Sequence, residues 1–144
     1  MTDFLHLVCP NCQAVNRFPA QRLEERPNCG QCHQTLFTGQ PVELTGASFT
    51  KHLERNDIPV LVDFWAPWCG PCRAMAPAVH SAAEKLGSNA KVYKINVDEN
   101  PDVSPRFNIK GIPTLIVFKD GREAYRLVGL STKEQIEALV TTVA

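Results

Sequence analysis

A run of apolar residues near the middle of the chain predicts its most deeply buried strand. Residues Val60–Trp65 are β-favouring and almost continuously apolar, as is typical of a strand covered on both faces. Asp63 interrupts the run, and an acid there would be costly to bury without a purpose. The chain then turns, and Cys69-Gly-Pro-Cys72 opens an alanine-rich segment that predicts a helix ending near Gly87.

Apolar periodicity and turn residues predict the elements on either side. Ser48 and Thr132 are the expected N-caps of two helices, and Asp120-Gly121 is the expected turn of a hairpin. The order β-α-β-α-β-α-β-β-α predicts an α/β sandwich that begins with a parallel crossover and ends in an antiparallel hairpin. The predicted strands are 42–44, 60–65, 92–97, 115–118 and 123–128, and the predicted helices are 48–56, 69–87, 103–107 and the segment after Thr132 with Ile136, Leu139 and Val140 buried.

The first 40 residues have a different pattern. A segment of this size with few large apolar residues rarely folds without a metal, a disulfide or a neighbouring domain. A turn signal at Thr38–Pro41 ends the segment, so we expect two units, residues 1–40 and 41–144. The larger apolar residues of the first unit are Phe4, Leu5, Leu7, Val8, Val15, Phe18, Leu23, Leu36 and Phe37.

The six cysteines form three Cys-x-x-Cys pairs, of which two lie in the first unit. The separation of these two pairs is in the range of four-cysteine zinc sites, where each pair forms a tight turn that directs two thiolates at one Zn²⁺. Asn11 and Gly30 are expected to supply the unusual backbone angles of those turns. His6 and His33 are expected not to be ligands. The predicted zinc ligands are Cys9, Cys12, Cys29 and Cys32, and the alternative is two further redox pairs.

Composition limits the classes of partner. The 144 residues are 44% hydrophobic and 21% charged, with fifteen basic residues against fifteen acidic ones, so bulk charge gives no reason to expect nucleic acid or an anionic membrane as partner. The N-terminal sequence lacks the pattern of a signal peptide, which predicts a cytoplasmic protein with reduced or metal-bound cysteines. Neither nucleotide-binding motif, GxGxxG or GxxxxGK, is present, so no bound nucleotide is expected.

Cys69 and Cys72 are predicted to be a redox pair. Cys69 would lie at the start of the helix, where free N–H groups and the helix dipole favour a thiolate over a thiol. Cys72 would lie one helical turn away, within disulfide reach. An exposed thiolate with such a partner suits thiol–disulfide exchange. Cys72 would need a base, and Asp63 is the candidate because apolar surroundings should raise its pKa.

These residues resemble the active site of the thioredoxin family. The matching stretch runs from Val60 to Cys72, and further matches cover roughly residues 42 to 144, which implies the thioredoxin fold with a mixed sheet flanked by helices. With the four-cysteine extension, the chain is similar to the bacterial form that carries an N-terminal zinc module. One departure is Pro67, where an acidic residue is common in the family. The other matching segments are Lys94-Ile-Asn-Val-Asp98, Asn100-Pro101, Gly111-Ile-Pro-Thr114, Phe118-Lys-Asp-Gly121 and Val128-Gly129.

The resemblance implies a function and further site residues. The chain is expected to reduce protein disulfides as a monomer and to be recharged by an NADPH-dependent flavoprotein reductase. Pro113 is expected to be a cis-proline facing the redox disulfide. Lys94 has two interpretations, a partner of Asp63 that opposes the rise of its pKa or an ordinary solvated lysine. The target disulfide is expected to dock near Trp68, Gly70, Pro71, Ile112, Pro113 and Gly129.

Two other functions remain compatible with the sequence. A disulfide oxidase or isomerase would use the same cysteines at a less reducing potential, although Gly70-Pro71 is associated in the family with reducing duty. A zinc-dependent binding or regulatory module would use the second unit only as a scaffold. The first unit is also expected to tune activity under oxidative stress, because oxidation of zinc thiolates ejects the metal.

Overall fold

A computed structural model describes residues 3–143, and residues 1–2 and 144 at the ends of the two predicted units lie outside it. The described residues form two sheets, a hairpin of two strands and a mixed sheet of five. Within the described residues, none of the helices is both long and apolar enough to cross a bilayer. The strands are β1 (Phe4–Val8), β2 (Val15–Pro19), β3 (Val42–Leu44), β4 (Val60–Trp65), β5 (Lys91–Asn96), β6 (Thr114–Lys119) and β7 (Arg122–Val128), and the helices are α1 (Gly46–Glu54), α2 (Gly70–Leu86), α3 (Val103–Arg106) and α4 (Lys133–Thr141).

The larger sheet has the order β3-β5-β4-β6-β7. Strands β3, β5 and β4 are parallel, whereas β6 is antiparallel to β4 and β7 is antiparallel to β6. β4 therefore lies in the middle and is hydrogen-bonded on both sides, which explains its nearly continuous apolar sequence. The predicted α/β sandwich with a parallel first half and an antiparallel hairpin is confirmed.

Alternation along β4 distributes its side chains between two cores. Leu61 packs with residues of α2 and α4 on one face of the sheet. Val62 and Phe64 pack with residues of α1 and α3 on the other face. Because side chains alternate along a strand, Asp63 lies on the same face as Leu61, beneath α2.

The helix ends agree with the sequence at α2 and α4 and differ at α1. Gly87 terminates α2 with φ of 55°, and Thr132 caps α4 through a capping box with Gln135. The expected cap at Ser48 is wrong, because α1 begins at Gly46 and Thr45 is its N-cap. Thr45 has extended backbone, and its carbonyl accepts the N–H groups of Ser48 and Phe49, so the helix starts earlier than the side chain of Ser48 suggested.

The N-terminal hairpin packs against the segment between α1 and β4. Ile58 from that segment lies in one apolar cluster with Leu7, Phe18 and Leu36. The Asp57 N–H donates to the His6 carbonyl at 2.9 Å, and the His6 N–H donates to the Asp57 carboxylate at 2.7 Å. The first unit therefore completes its core with a residue from the second unit, which supplies the neighbour that its small apolar content requires.

A chain of buried hydrogen bonds crosses the same contact. Burial lowers the pKa of His52 to about 4, so the ring is neutral and has one donor and one acceptor nitrogen. Nε2 contacts the Gln13 side-chain oxygen, which can only accept, so Nδ1 accepts from the Tyr93 hydroxyl at 2.8 Å. The Asn56 amide donates to the same hydroxyl at 3.0 Å, and its oxygen accepts the Val8 N–H at 2.8 Å. Each of these side chains therefore has a partner within the hydrogen-bond network.

We expect Tyr93→Phe to destabilise the protein by about 1 to 2 kcal/mol, because it leaves His52 Nδ1 buried without a donor. Tyr125→Phe is the matched control, since Tyr125 is 49% exposed and Tyr93 is 1% exposed. Urea unfolding of the oxidised protein gives both values. Equal losses for the two variants would contradict a role for this network.

Candidate active site and metal site

The redox cysteines lie where β4 ends and α2 begins. Cys69 is the N-cap of α2, and its sulfur accepts the Cys72 N–H at 3.2 Å. The two cysteines form a disulfide with a Cα–Cα distance of 5.2 Å. Pro71 in the first turn has no N–H to donate and fits there without loss. One backbone N–H of the first turn therefore donates to the sulfur at the position where the sequence predicted a stabilised thiolate.

Cys69 is less accessible than expected. In this disulfide form it is 3% exposed, and Trp65, Val97 and Ile112 pack against the cluster that contains both cysteines. The expectation of an exposed sulfur is thus wrong for the oxidised protein.

The structure brings most of the predicted groove residues to this disulfide. The Ile112–Pro113 bond is cis, and the Ile112 carbonyl oxygen lies 3.7 Å from Cys69 Sγ. The Gly129 N–H donates to the Pro113 carbonyl at 2.9 Å, which fixes the chain after β7 beside the cis-proline. Gly70 and Pro71 are exposed on the helix side. The cis-proline segment therefore contacts both the Cys69 sulfur and the chain after β7.

The two tryptophans near the disulfide differ in exposure and in hydrogen-bonding partner. Trp68 is 67% exposed, and its indole N–H donates to the Asp98 carboxylate at 2.7 Å. Trp65, the last residue of the strand predicted to be covered on both faces, is half-buried, and its indole N–H donates to Glu43. Its position as the last residue of β4 explains the difference, because the sheet edge there is open to solvent.

Asp63 is buried without a hydrogen-bonding partner for one of its oxygens. It is 2% exposed, and among residues 3–143 no atom donates to its Oδ1. Burial raises its pKa to about 7, Lys94 acts to lower it, and Glu43 acts to raise it. This carboxyl group is therefore able to gain and lose a proton near neutral pH.

Lys94 opposes the rise of the Asp63 pKa, as the first of its two interpretations expected, but it does so without a direct ion pair. It lies opposite Asp63 in the β4–β5 register, yet in the described part of the chain it makes no ion pair within 4.0 Å with that residue. Its ammonium lies 4.1 Å from the centroid of the Trp65 ring. The charge is held by an aromatic face instead of a carboxylate or bulk water.

The four N-terminal cysteines meet at one point. Their sulfur atoms all lie within 4.8 Å of one another, with 3.6 Å between Cys9 and Cys32 and 3.6 Å between Cys12 and Cys29. Zinc–sulfur bonds of about 2.3 Å in a tetrahedron require sulfur separations of about 3.8 Å. The arrangement therefore fits Zn²⁺. His6 contacts Asp57 and is not part of the cluster.

Donors around the sulfurs support the same assignment. The Asn11 N–H donates to Cys9 Sγ at 3.3 Å, and the Asn16 amide donates to Cys29 Sγ at 3.4 Å. Hydrogen bonds of this kind stabilise thiolate ligands and orient them toward a metal. The donor set is thus suited to anionic sulfur.

The backbone angles of the two cysteine turns correct one expectation. The left-handed residues are Gln13 and His33, with φ of 68° and 66°, and not Asn11 and Gly30. Each follows the second cysteine of its pair, and its N–H donates to the carbonyl of the first cysteine at 3.0 and 2.9 Å. The chain must reverse after the second cysteine to close that hydrogen bond, so the left-handed residue is the one directly after that cysteine.

The thioredoxin family model matches residues 40–142. The chain belongs to the thioredoxin family. A zinc-ribbon family model described as "Thioredoxin 2, N-terminal" matches residues 8–34, which include all four N-terminal cysteines. This thioredoxin is therefore a protein-disulfide reductase with an N-terminal zinc ribbon.

Relatives and solved structures of thioredoxins agree with this assignment. Thioredoxin C-3 of Corynebacterium nephridii is 42% identical over 123 residues, covering 85% of this chain and 84% of the relative. The thioredoxin of Alicyclobacillus acidocaldarius is 51% identical over 100 residues, covering 69% and 94%. The N21Q mutant thioredoxin from Halobacterium salinarum superposes with a TM-score of 0.66 at 35% identity, covering 72% of this chain and 90% of that one. Chloroplastic thioredoxin z gives 0.67 at 34% identity, covering 72% and 94%.

Several residues beside the predicted site were not anticipated from the sequence. Val128 and Leu130, which flank Gly129, are 66% and 63% exposed. Two large apolar residues around a glycine after a strand were the available signal. Glu43 gave no signal, because its position beside Trp65 depends on the register of β3.

We expect Asp63→Asn to stabilise the oxidised protein at pH 8 and to have little effect at pH 4. The native carboxyl group keeps its proton up to a pKa of about 7, whereas the unfolded one releases it near 3.8. Wild-type stability therefore falls as pH rises between these values, by about 4 kcal/mol at most. Urea unfolding across this range gives the difference between variant and wild type. Asp102→Asn, at an exposed position, is the matched control, and a pH-independent gain for Asp63→Asn would contradict the linkage.

Proposed function

We propose that this thioredoxin reduces protein disulfides in two exchange steps, with Cys69 as the attacking and Cys72 as the resolving residue. The observation that carries the assignment is the position of Cys69 as N-cap of α2, where its sulfur accepts the Cys72 N–H. A thiolate there is stabilised by the helix N-terminus, whereas Cys72 lies inside the first turn.

Two successive thiol–disulfide exchanges carry the electrons from this protein to its target. The Cys69 thiolate attacks one sulfur of the target disulfide, and the other target sulfur leaves as a thiolate. Cys72 then loses its proton and attacks Cys69 Sγ, which releases the second target sulfur and closes the Cys69–Cys72 disulfide. Two electrons pass to the target. Reduction of that disulfide by an NADPH-dependent flavoprotein reductase completes the proposed cycle.

Asp63 is the proposed base for Cys72. It lies on the face of β4 that α2 covers, and its pKa of about 7 allows it to accept a proton near neutral pH. A water is the proposed carrier of the proton between the two groups. Lys94 is the proposed supporting residue, because it is the cation nearest to Asp63 in the strand register.

The proposed docking surface combines Trp68, Gly70, Pro71, Ile112, Pro113 and Gly129. Exposed apolar side chains beside Gly129 extend it. An extended target segment would place its sulfur beside Cys69 while its backbone lies against the cis-proline segment. Apolar contact of this kind supplies affinity without selecting one sequence, which suits a reductase with many targets.

The proposed division of labour assigns exchange to residues 41–144 and zinc binding to residues 1–40. Cys9, Cys12, Cys29 and Cys32 would hold a structural Zn²⁺ whose binding contributes to folding of the first unit. Oxidation of these thiolates would release the metal and loosen the unit, which would tune activity or target choice under oxidative stress in the cytoplasm.

We expect Cys72→Ser to form a stable mixed disulfide with target proteins, because the first attack remains possible while resolution does not. Cys69→Ser is the matched control and should form none. Non-reducing electrophoresis of each variant after incubation with an oxidised target measures the adduct. Normal turnover by Cys72→Ser would show that the two roles are wrongly assigned.

We expect peroxide to release zinc from the disulfide form of the intact chain while disulfide reduction persists. The disulfide protects Cys69 and Cys72, so the oxidant meets the N-terminal thiolates first. A chromophoric chelator follows the metal, and insulin reduction with a chemical reductant of the internal disulfide follows activity in the same sample. Loss of all activity together with the metal would show that the zinc ribbon takes part in exchange.

A further inference from the structure

Three charged side chains form a row across the sheet beneath α2. Glu43 on β3 and Asp63 on β4 both lie opposite Lys94 on β5, one on each side. Leu61 and Val92, two residues before Asp63 and Lys94, belong to the core under α2, which places the row on that face. One cation thus lies between two acids, at the end of the sheet that leads to Cys69.

The Lys94 ammonium lies against an aromatic ring and not against either of these acids. Within residues 3–143, its ammonium makes no ion pair within 4.0 Å with either carboxylate. It lies 4.1 Å from the centroid of the Trp65 ring. An ammonium over an indole face is attracted by the ring quadrupole, and indole is the strongest of the aromatic partners.

Glu43 positions the Trp65 ring, over which the Lys94 ammonium lies. The Trp65 indole N–H donates to both Glu43 oxygens, at 3.1 and 3.2 Å. Trp65 is only half-buried, so packing alone does not immobilise it. A shared hydrogen bond to an acid fixes the ring plane and makes its face more favourable for a cation.

We propose that Glu43 is a positioning residue for disulfide exchange, which by fixing Trp65 anchors the Lys94 ammonium over the indole ring and keeps Asp63 without a cationic partner. The proposal rests on the proposed role of Asp63 as base for Cys72. It assigns a function to β3 at the edge of the sheet, which otherwise contributes only packing.

The surroundings of Asp63 make this separation effective. The charged groups that influence it are Lys94 from β5 and Glu43 from β3. β6 places Leu115 opposite it, and Cys72 in the first turn of α2 is tied in the disulfide. After burial, Lys94 is the larger influence on the pKa of Asp63, which it lowers, and Glu43 raises it. Release of Lys94 toward Asp63 would therefore give a weaker base that ionises at lower pH.

Two variants distinguish an effect of Glu43 through the position of Trp65 from an effect through its charge alone. Glu43→Gln removes the charge but keeps a side-chain oxygen that accepts the indole N–H. Glu43→Ala removes both and frees Trp65. If Glu43 acts through its charge alone, both variants lower the pKa of Asp63 equally, by a few tenths because the residue is exposed and screened. If it acts by positioning, Glu43→Ala lowers the pKa further, by about one unit in total.

Lys94→Met tests whether the Lys94 ammonium transmits the effect of Glu43 to Asp63. In that background no ammonium is left to move, so Glu43→Ala and Glu43→Gln should have the same effect. Such a double-mutant comparison isolates the coupling between two residues from other effects of each substitution. Glu54→Gln is the matched control, because Glu54 is an exposed acid on α1, on the opposite face of the sheet.

The measurement is the pKa of Asp63 by carboxyl carbon NMR titration of the oxidised full-length protein, in which Cys69 and Cys72 do not titrate. We expect the pKa of Asp63 to be highest in wild type and Glu54→Gln, lower in Glu43→Gln and lowest in Glu43→Ala. With Lys94→Met, the difference between the two Glu43 variants should disappear. Equal pKa values in Glu43→Gln and Glu43→Ala, or a difference that survives Lys94→Met, would overturn the proposal.

A second measurement distinguishes this inference from the role of Asp63. The acid limb of the pH profile of kcat/KM for insulin reduction should move to lower pH in Glu43→Ala, by the same amount as the NMR pKa. If Asp63→Asn leaves the pH profile unchanged, the base assignment fails, whereas the NMR titration still decides whether Glu43 positions Lys94.

Discussion

The central constraint in this thioredoxin is the pairing of β4 on both sides, with β5 from Val60 to Trp65 and with β6 from Val60 to Phe64. A strand in the middle of a sheet has a fixed register, because a shift of one residue would exchange its two faces. That register decides which side chains lie under α2 and which lie under α1. It also fixes where β4 ends, and therefore where the first turn of α2 can present its N–H groups to Cys69. Sulfur chemistry at one end of the strand thus depends on hydrogen bonds along all of it.

The parts of the fold that the sequence could predict are those set by local chemistry. The apolar run of β4, the turn at Asp120-Gly121 and the cap at Thr132 each depend on a few neighbouring residues, and all three occur in the structure. The same holds for the two cysteine turns, whose sulfurs meet as their spacing predicted. Where the left-handed residue falls within a turn is a subtler property, because the closing hydrogen bond decides it and residue preference does not.

The parts that could not be predicted depend on contacts between distant segments. Gln13, His52, Tyr93 and Asn56 are ordinary residues in the sequence, and their hydrogen bonds exist only because the first hairpin lies against α1 and β5. Glu43 is likewise placed by the pairing of β3 with β5. Periodicity says which face a residue occupies within its own strand, but not which residue of another strand lies beside it.

The polar nature of the contact between the hairpin and the larger sheet has a consequence for how the protein behaves when that contact opens. His52, Asn56, Tyr93 and Lys91 present groups that water can solvate, and Ile58 is the second unit's contribution to the apolar cluster there. Partial opening would therefore uncover wettable groups on the larger unit, whereas the first unit would expose the apolar cluster of Leu7, Phe18 and Leu36. The polar side of the contact tolerates water, and the apolar side of the hairpin stabilises the closed arrangement.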